Sequence, residues 1–453
     1  MVRKILYLLS LVWAVQVNGS QLPVVKLTAG DLSASYSKGT FQLEDGEVYS
    51  VEIRHRGVTA LNYAKKAFAV KFVDANGDKL NVSLLGMRSD NSWILDAMAV
   101  DKARMRNRVS TDLWNDFARD PYFKTAEPKM LNGTQGEFVE VYLNGEYWGL
   151  YCLTEKIDRK QLKLKKIKND VVKGVLYKST GWSSLFSEDE AFYNYDNMSP
   201  TWHALESSYP ELDDEGVVDW KPIADAIRWM SFSDETEVNA HLADKFDLDV
   251  WEDYFLFVEF LMADDNICKN QYLYYYDITA EDARMGVAPW DMDHSWGRDY
   301  KGDTLCAEVE TETWFNRVSY LMQYVYTRLD KTYKQRYDEM RESYFTPEKL
   351  KQRFADYFAL FRESGAAERE KARWSGTDGI TLDFDAEEQY IYDWIDRRFA
   401  FMDQKYSTEG IRNTPVSPVQ TEKAYKRIIN NRVVIVKGKK MYNLMGQEIQ
   451  IEH

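Results

Sequence analysis

The chain has 453 residues, of which 45% are hydrophobic and 29% charged: enough apolar material for a large core and too much for wholesale disorder. Lys and Arg number 58 against 73 Asp and Glu, so the net charge is −15, a poor electrostatic match for nucleic acid or an anionic membrane. With 3 cysteines and 5 scattered histidines, neither a disulfide framework nor a zinc signature is present.

Arg3 and Lys4 precede an apolar run from Ile5 to Val15, and small residues follow at Val17 and Gly19. This predicts an export signal peptide over 1–19, because the run is too short for a membrane span. No other long apolar stretch occurs, so no transmembrane segment is expected. Residues 20–50 read as an N-terminal β segment, and the pattern from Val24 to Phe72 is strand-like with Gly, Asp and Asn punctuation. Asp101 to Phe117 reads as a helix with Met105, Val109, Leu113 and Trp114 on one side. Between Phe138 and Leu153 two β-rich runs flank Asn144-Gly145, a strong hairpin signal. Gly174 to Lys178 is the next strand. Residues 180–246 are polar and read as irregular, an insertion or lid. Trp251, Tyr254, Phe255, Val258 and Leu261 recur at helical spacing across Leu248 to Met262. Residues 308–406 are mostly helical, with a start signal at Thr346-Pro347-Glu348. A Ser/Thr/Pro linker over 407–421 leads to a small β tail, 422–453. Sheet first and helices later is an α+β order rather than an alternating one.

The segment richest in chemistry follows the Leu248–Met262 helix. It reads Asp264-Asp265-Asn266-Ile267-Cys268-Lys269-Asn270, then a strand to Tyr276, a turn over Asp277–Arg284 and a short strand Met285–Pro289. That strand delivers Trp290-Asp291-Met292-Asp293-His294-Ser295-Trp296-Gly297. Phosphoryl transfer from a metal–nucleotide needs an acid for the acceptor hydroxyl and amide or acid groups for the metals. Protein kinases supply them as Asp, Asn five positions on, a hairpin, and a second Asp before Gly. Asp265 and Asn270 have that spacing, and the hairpin returns Asp291 and Asp293 to their side. The plainer reading is a capped helix end followed by a solvated acidic turn.

The stretch from Val51 to Met402 resembles the CotH kinase family, atypical kinases of the spore-coat-protein-H type. The resemblance is carried by Arg54-His-Arg-Gly57 with Lys65 to Phe72, by Trp93-Ile-Leu with Asp101 and Met105-Arg106-Asn107, and by Leu143 to Tyr151 with Glu155-Lys-Ile-Asp158. Leu176-Tyr-Lys178, Asp265 through Asn270 and Trp290 to Gly297 complete it. It implies a two-lobed, divergent protein-kinase-like domain over 51–406 that uses ATP with Mg²⁺ or Mn²⁺ to phosphorylate a protein substrate. By the same resemblance Asp265 is the catalytic acid, Asn270 a metal ligand and Asp291 the metal-binding acid. Asp293 is a second ligand or a turn cap, and His294 a hydrogen-bonding loop residue. A nucleotide kinase also needs a lysine at the phosphates. Lys178 is the first choice with Glu155 as its partner, and Lys71 is the alternative. Arg54 and Arg56 either clamp phosphates as planar forks or are exposed charges on a surface strand.

Asn430 through Ile449 resembles the C-terminal sorting tails of exported Bacteroidetes proteins, the type IX secretion class. That implies a sorting machinery as partner and a periplasmic, cell-surface or extracellular destination. Two other functions compete with the exported kinase. One is a surface adhesin or scaffold on a silent kinase-like fold. The other is a carbohydrate-active protein using paired carboxylates and the 14% aromatic content. The intact set Asp265, Asn270 and Asp291 favours the kinase, since a pure binder has no need of all three.

Overall fold

The computed structural model describes residues 21–181, 194–310, 321 and 330–406, together with the tail strands 424–429, 432–437, 440–442 and 448–449. The expected signal peptide and linker lie outside the described residues. The structure is mixed α+β, β-rich in its N-terminal part and helical in its C-terminal part.

Alternating apolar residues build the first part. Val25 and Leu27 on β1 (Val24–Ala29), Phe41 on β2 (Ser37–Leu43), and Val51 and Ile53 on β3 (Val48–Arg56) are all buried. So are Phe68, Val70 and Phe72 on β4 (Ala67–Phe72). A period of two places them on one face while Arg54 and Arg56 point away. A two-strand ladder, β5 (Val82–Ser83) and β6 (Ser89–Asp90), precedes β7 (Ser92–Asp96). Helix α1 (Arg106–Phe117) follows, and then the hairpin β8 (Gly136–Leu143) and β9 (Glu146–Thr154). Asn144 and Gly145 both take positive φ at its turn, as a two-residue hairpin requires. The strands run β1-β2-β3-β4-β7-β9-β8 and close into a barrel, because β1 pairs in parallel with β8, Val25 opposite Val141.

The expected helix over Asp101–Phe117 starts later, at Arg106. The Asp101 carboxylate accepts the backbone N–H groups of Ala103, Met105 and Arg106, so the first turn belongs to a side-chain cap instead. The reading of 180–246 as irregular is corrected for 194–246. Strands β11 (Thr201–Trp202) and β12 (Leu205–Tyr209) join β10 (Val175–Ser179), β13 (Gln271–Tyr275) and β14 (Met285–Pro289) in a sheet of order β11-β12-β10-β13-β14. Helices α2 (Leu212–Glu215), α3 (Lys221–Phe232) and α4 (Glu235–Lys245) follow. Pro222 and the Asp234 cap, which accepts from Glu237 N–H, set their starts. Charged outer faces hide the apolar stripe that Val238 and Leu242 contribute to the core. Helix α5 (Leu248–Leu261) is buried on every side from Val250 onward and packs against β14.

Helices α6 (Asp330–Ser343), α7 (Pro347–Glu363), α8 (Ala366–Trp374) and α9 (Phe384–Tyr406) complete the body. Phe354, Phe358, Trp394 and Phe399 join Trp296 in the same core. The tail strands β15 (Ala424–Ile429), β16 (Arg432–Lys437), β17 (Lys440–Tyr442) and β18 (Glu448–Ile449) pair as an antiparallel four-stranded sheet. Among the described residues no helix is long and apolar enough to cross a membrane.

Barrel and helices meet at a buried ion cluster. Glu370 on α8 takes Lys65 Nζ at 2.6 Å and Arg104 Nε at 2.8 Å on one oxygen, and the Leu150 N–H at 2.8 Å on the other. Gly149 sits at a φ of +137°, and a side chain there would strike Glu370 and Trp374. Its bare backbone thus admits the carboxylate. Removing that carboxylate leaves the buried Arg104 guanidinium without its counter-charge and Lys65, which burial lowers to about 7, without its partner. Glu370→Ala is therefore expected to lose about 3–5 kcal/mol of stability, read as a lower urea midpoint at pH 7.

Candidate active site

Helix α5 ends at Met262, whose φ of +52° turns the chain left-handed. A 3₁₀ turn, Asp264–Asn266, follows directly. Asn270 (φ +53°) and Asp291 (φ +60°) are left-handed as well. They stand at the open end of the β13–β14 hairpin, where Gln271 faces Pro289 and Trp290 N–H donates to the Asn270 carbonyl. Asn and Asp tolerate this conformation better than most residues, and strained backbone of this kind gathers at functional sites. Asn266, fully buried, donates its side-chain amide to the carbonyls of both Asn270 and Trp290, at 2.8 and 2.7 Å. One amide thus staples the two acidic segments together.

Asp265 is only 3% exposed. Its Oδ2 lies 2.7 Å from Lys269 Nζ and 3.0 Å from His294 Nδ1. The other nitrogen of His294 lies 3.5 Å from Asp293 Oδ1. Burial opposes the charge on Asp265, but His294 and Lys269 outweigh it and hold the carboxyl below its usual range. Burial and the adjacent Asp265 charge push Asp264 up to about 6. Burial pushes Asp293 well above the usual carboxylate range, and Asp291, Asp96 and Asp101 add to the effect. Burial works against protonated His294, yet Asp293 and Asp265 prevail and raise it to about 9.

The loop carrying these acids is anchored from below. Arg106, fully buried at the start of α1, reaches Asp101 and Glu387 at 2.6 Å each and the Ser295 carbonyl at 3.1 Å. Arg298 adds a second cation to Glu387. Trp296 N–H donates to the Leu261 carbonyl, and Gly297 turns at a φ of +85° where a side chain would strike Trp394. Asn107 donates to Asp96 at 2.9 Å and accepts Met292 N–H at 3.0 Å, so it clips β7 to the turn between Asp291 and Asp293. Burial and the nearby Asp291 charge raise Asp96.

Of the expected site residues, the structure gathers Asp265, Asn270, Asp291 and Asp293, with Lys178 and Arg56 beside them. Burial and Arg56 lower Lys178, while Asp291 and Glu206 pull it back up. Arg56 lies over the Trp290 ring at 5.7 Å. Arg54 and Lys71 lie further out, over Tyr36 at 5.1 and 4.6 Å. Glu155 is not the partner of Lys178: its carboxylate accepts the backbone N–H groups of Arg88 and Gln135 and faces the Arg88 guanidinium at 3.6 Å. The barrel rim needed that acid for the half-buried Arg88, and a strand pattern alone carries no sign of the competition. Asp96, Asn107 and Asn266 were missed as contributors. The only sequence signal for them is that Asn266 lies inside the acidic cluster and Asn107 inside the Met105-Arg106-Asn107 piece.

Because its folded value lies above 6.5, His294 stabilises the protein fully below that pH, and the contribution is lost as pH rises through about 9. In chelator-treated protein, urea unfolding is expected to show a decline on the order of 3 kcal/mol across this window that is absent from His294→Gln.

The family described as CotH kinase protein matches residues 53–402. The inner spore coat protein H of Bacillus subtilis (strain 168) is 23% identical over 316 residues, which cover 69% of this chain and 76% of that protein. The match runs from within β3 to the last helix and takes in every acid of the site. The chain belongs to the CotH kinase protein family.

Proposed function

We propose that this chain is an atypical protein kinase that transfers the γ-phosphate of ATP to a Ser/Thr-type hydroxyl of a protein. The observation that carries the reading is the convergence of Asp265, Asn270, Asp291 and Asp293 at one hairpin mouth, with Lys178 and Arg56 as flanking cations. In this reading the barrel acts as the nucleotide-side lobe and the helical part as the acceptor-side lobe of a kinase-like fold.

Asp265 orients the acceptor hydroxyl. Its depressed proton affinity suits this role, because a loose transition state asks for late proton removal. The hydroxyl oxygen bonds the γ-phosphorus while the bond from that phosphorus to the bridging oxygen of ADP breaks. ADP leaves with the electron pair, and the hydroxyl proton passes to Asp265. Lys178, Arg56 and, further out, Arg54 and Lys71 offer positive charge to the phosphates.

Among the described residues, no three His, Cys, Asp or Glu side chains form a ready-made metal cage. Magnesium with a nucleotide asks for less: one or two carboxylates, with phosphate oxygens and waters completing the shell. Asp96 and Asp293 are both raised in part by the charge of Asp291, so the donors are crowded as a cation site would have them. Mg²⁺ or Mn²⁺ held by Asp291, Asp293 and Asn270 would supply charge neutralisation at the phosphates. The basic and apolar N-terminus supports export, and the tail supports recognition by a sorting machinery. The relative's name as a coat protein favours a second reading, a surface scaffold without catalysis.

Labelled γ-phosphate incorporation with Mg²⁺ or Mn²⁺ separates the two. Wild type is expected to transfer phosphate. Asp265→Asn should lose about 100-fold or more in turnover with little change in nucleotide affinity, and Asp291→Asn should lose metal-dependent transfer while keeping its fold. No transfer by wild type supports the scaffold, and full transfer by both variants removes these acids from the site.

A further inference from the structure

Asp265 is engaged on one side only. Lys269 and His294 both reach Oδ2. Oδ1 accepts no hydrogen bond from the described residues, and it is not among the sealed-off, unpartnered oxygens of the interior. It is therefore the oxygen of this buried carboxylate that neither Lys269 nor His294 occupies. His294 spans from Oδ2 to Asp293 through its two ring nitrogens.

The loop does not need His294 for its shape. Arg106 holds the Ser295 carbonyl, Ser295 Oγ bonds the Met292 carbonyl, Trp296 N–H bonds the Leu261 carbonyl, and Tyr390 bonds the Gly297 carbonyl. The ring of His294 instead hydrogen-bonds Asp265 and faces Asp293 at 3.5 Å. Lys269 reaches the same oxygen of Asp265 from within the same turn, four positions on. Two donors on one oxygen fix the rotation of a carboxylate, which a single donor would leave free to swing.

We infer that His294 and Lys269 are positioning residues that clamp Oδ2 of Asp265 so that Oδ1 meets the acceptor hydroxyl, and that His294 also ties this acid to the Asp291–Asp293 turn. The inference rests on the phosphotransferase reading and assigns one oxygen of that site to the acceptor. A carboxylate held in one rotation presents its lone pair in the near-attack geometry, and loss of such alignment slows turnover without weakening nucleotide binding.

The test uses the full chain with labelled ATP, Mn²⁺ and dephosphorylated casein as acceptor. His294→Gln and Lys269→Met are made alone and in combination with Asp265→Asn, and Mn²⁺–ATP affinity is measured by calorimetry. Each single variant is expected to lose about 100-fold in kcat, with Mn²⁺–ATP affinity changed by no more than about twofold. Combined with Asp265→Asn, each should cost nothing further, because both act through that acid. Lys269→Arg should recover most of the turnover, and Lys269, near the surface of the turn, keeps the question decidable if His294→Gln fails to fold. Full kcat in the single variants, or losses that multiply with Asp265→Asn, would overturn the inference and leave the kinase reading standing. A wild type that phosphorylates neither itself nor casein overturns both.

Discussion

A guanidinium sealed from water must find partners for all its donors, and Arg106 finds them in three separate parts of the chain. Asp101 lies just before α1, Glu387 on the last helix, and the Ser295 carbonyl in the acidic loop. Each partner is far from the others in sequence. None can move without leaving a buried charge or N–H short of a partner, a costly defect in a core. The position of Asp291 and Asp293 is thus decided below the site, by a cation that no ligand would touch. Asn107, the next residue, adds a neutral clip between β7 and the same turn. One turn of α1 therefore sets the depth of the acidic loop.

Lys65, Arg104 and Glu370 repeat the device between barrel and helix. There the carboxylate comes from the helix and both cations from the β-rich part, and Glu370 further accepts a backbone N–H from β9. The two clusters differ in what they secure. The Arg106 cluster anchors the acidic loop after β14. The Glu370 cluster anchors α8 against a strand, through the opening that Gly149 leaves.

What could be read in the sequence follows from how local each signal is. Asn144-Gly145, the apolar repeat of α5 and the five-residue step from Asp265 to Asn270 are complete within short windows, and the structure shows the hairpin, the helix and the shared hairpin mouth. Long-range facts were not legible. The parallel closure of β1 on β8 joins residues more than a hundred positions apart, with β2 to β7 and α1 between them. Glu155 had the right residue type and strand context for a lysine partner, and a distant arginine claimed it. Within 194–246, α4 buries only Val238 and Leu242 and leaves little periodicity to detect, whereas α3 does bury Ile223, Ile227 and Met230 at helical spacing, a local signal that the irregular reading passed over.

The parallel seam between β1 and β8 also orders events in time. Val25 cannot meet Val141 until the intervening chain has been made. Until then β1 and β2 form a sheet with an unpaired edge, open to another extended chain. Closure over so long a loop is entropically slow, since non-local strand pairing must wait for the segment between to collapse. The β8–β9 hairpin forms locally around its tight turn, so it arrives ready-made as the final staves. The same closure that leaves the finished barrel without an edge makes its first strand the most exposed piece of the nascent protein, and the one on which a chaperone would have most reason to act.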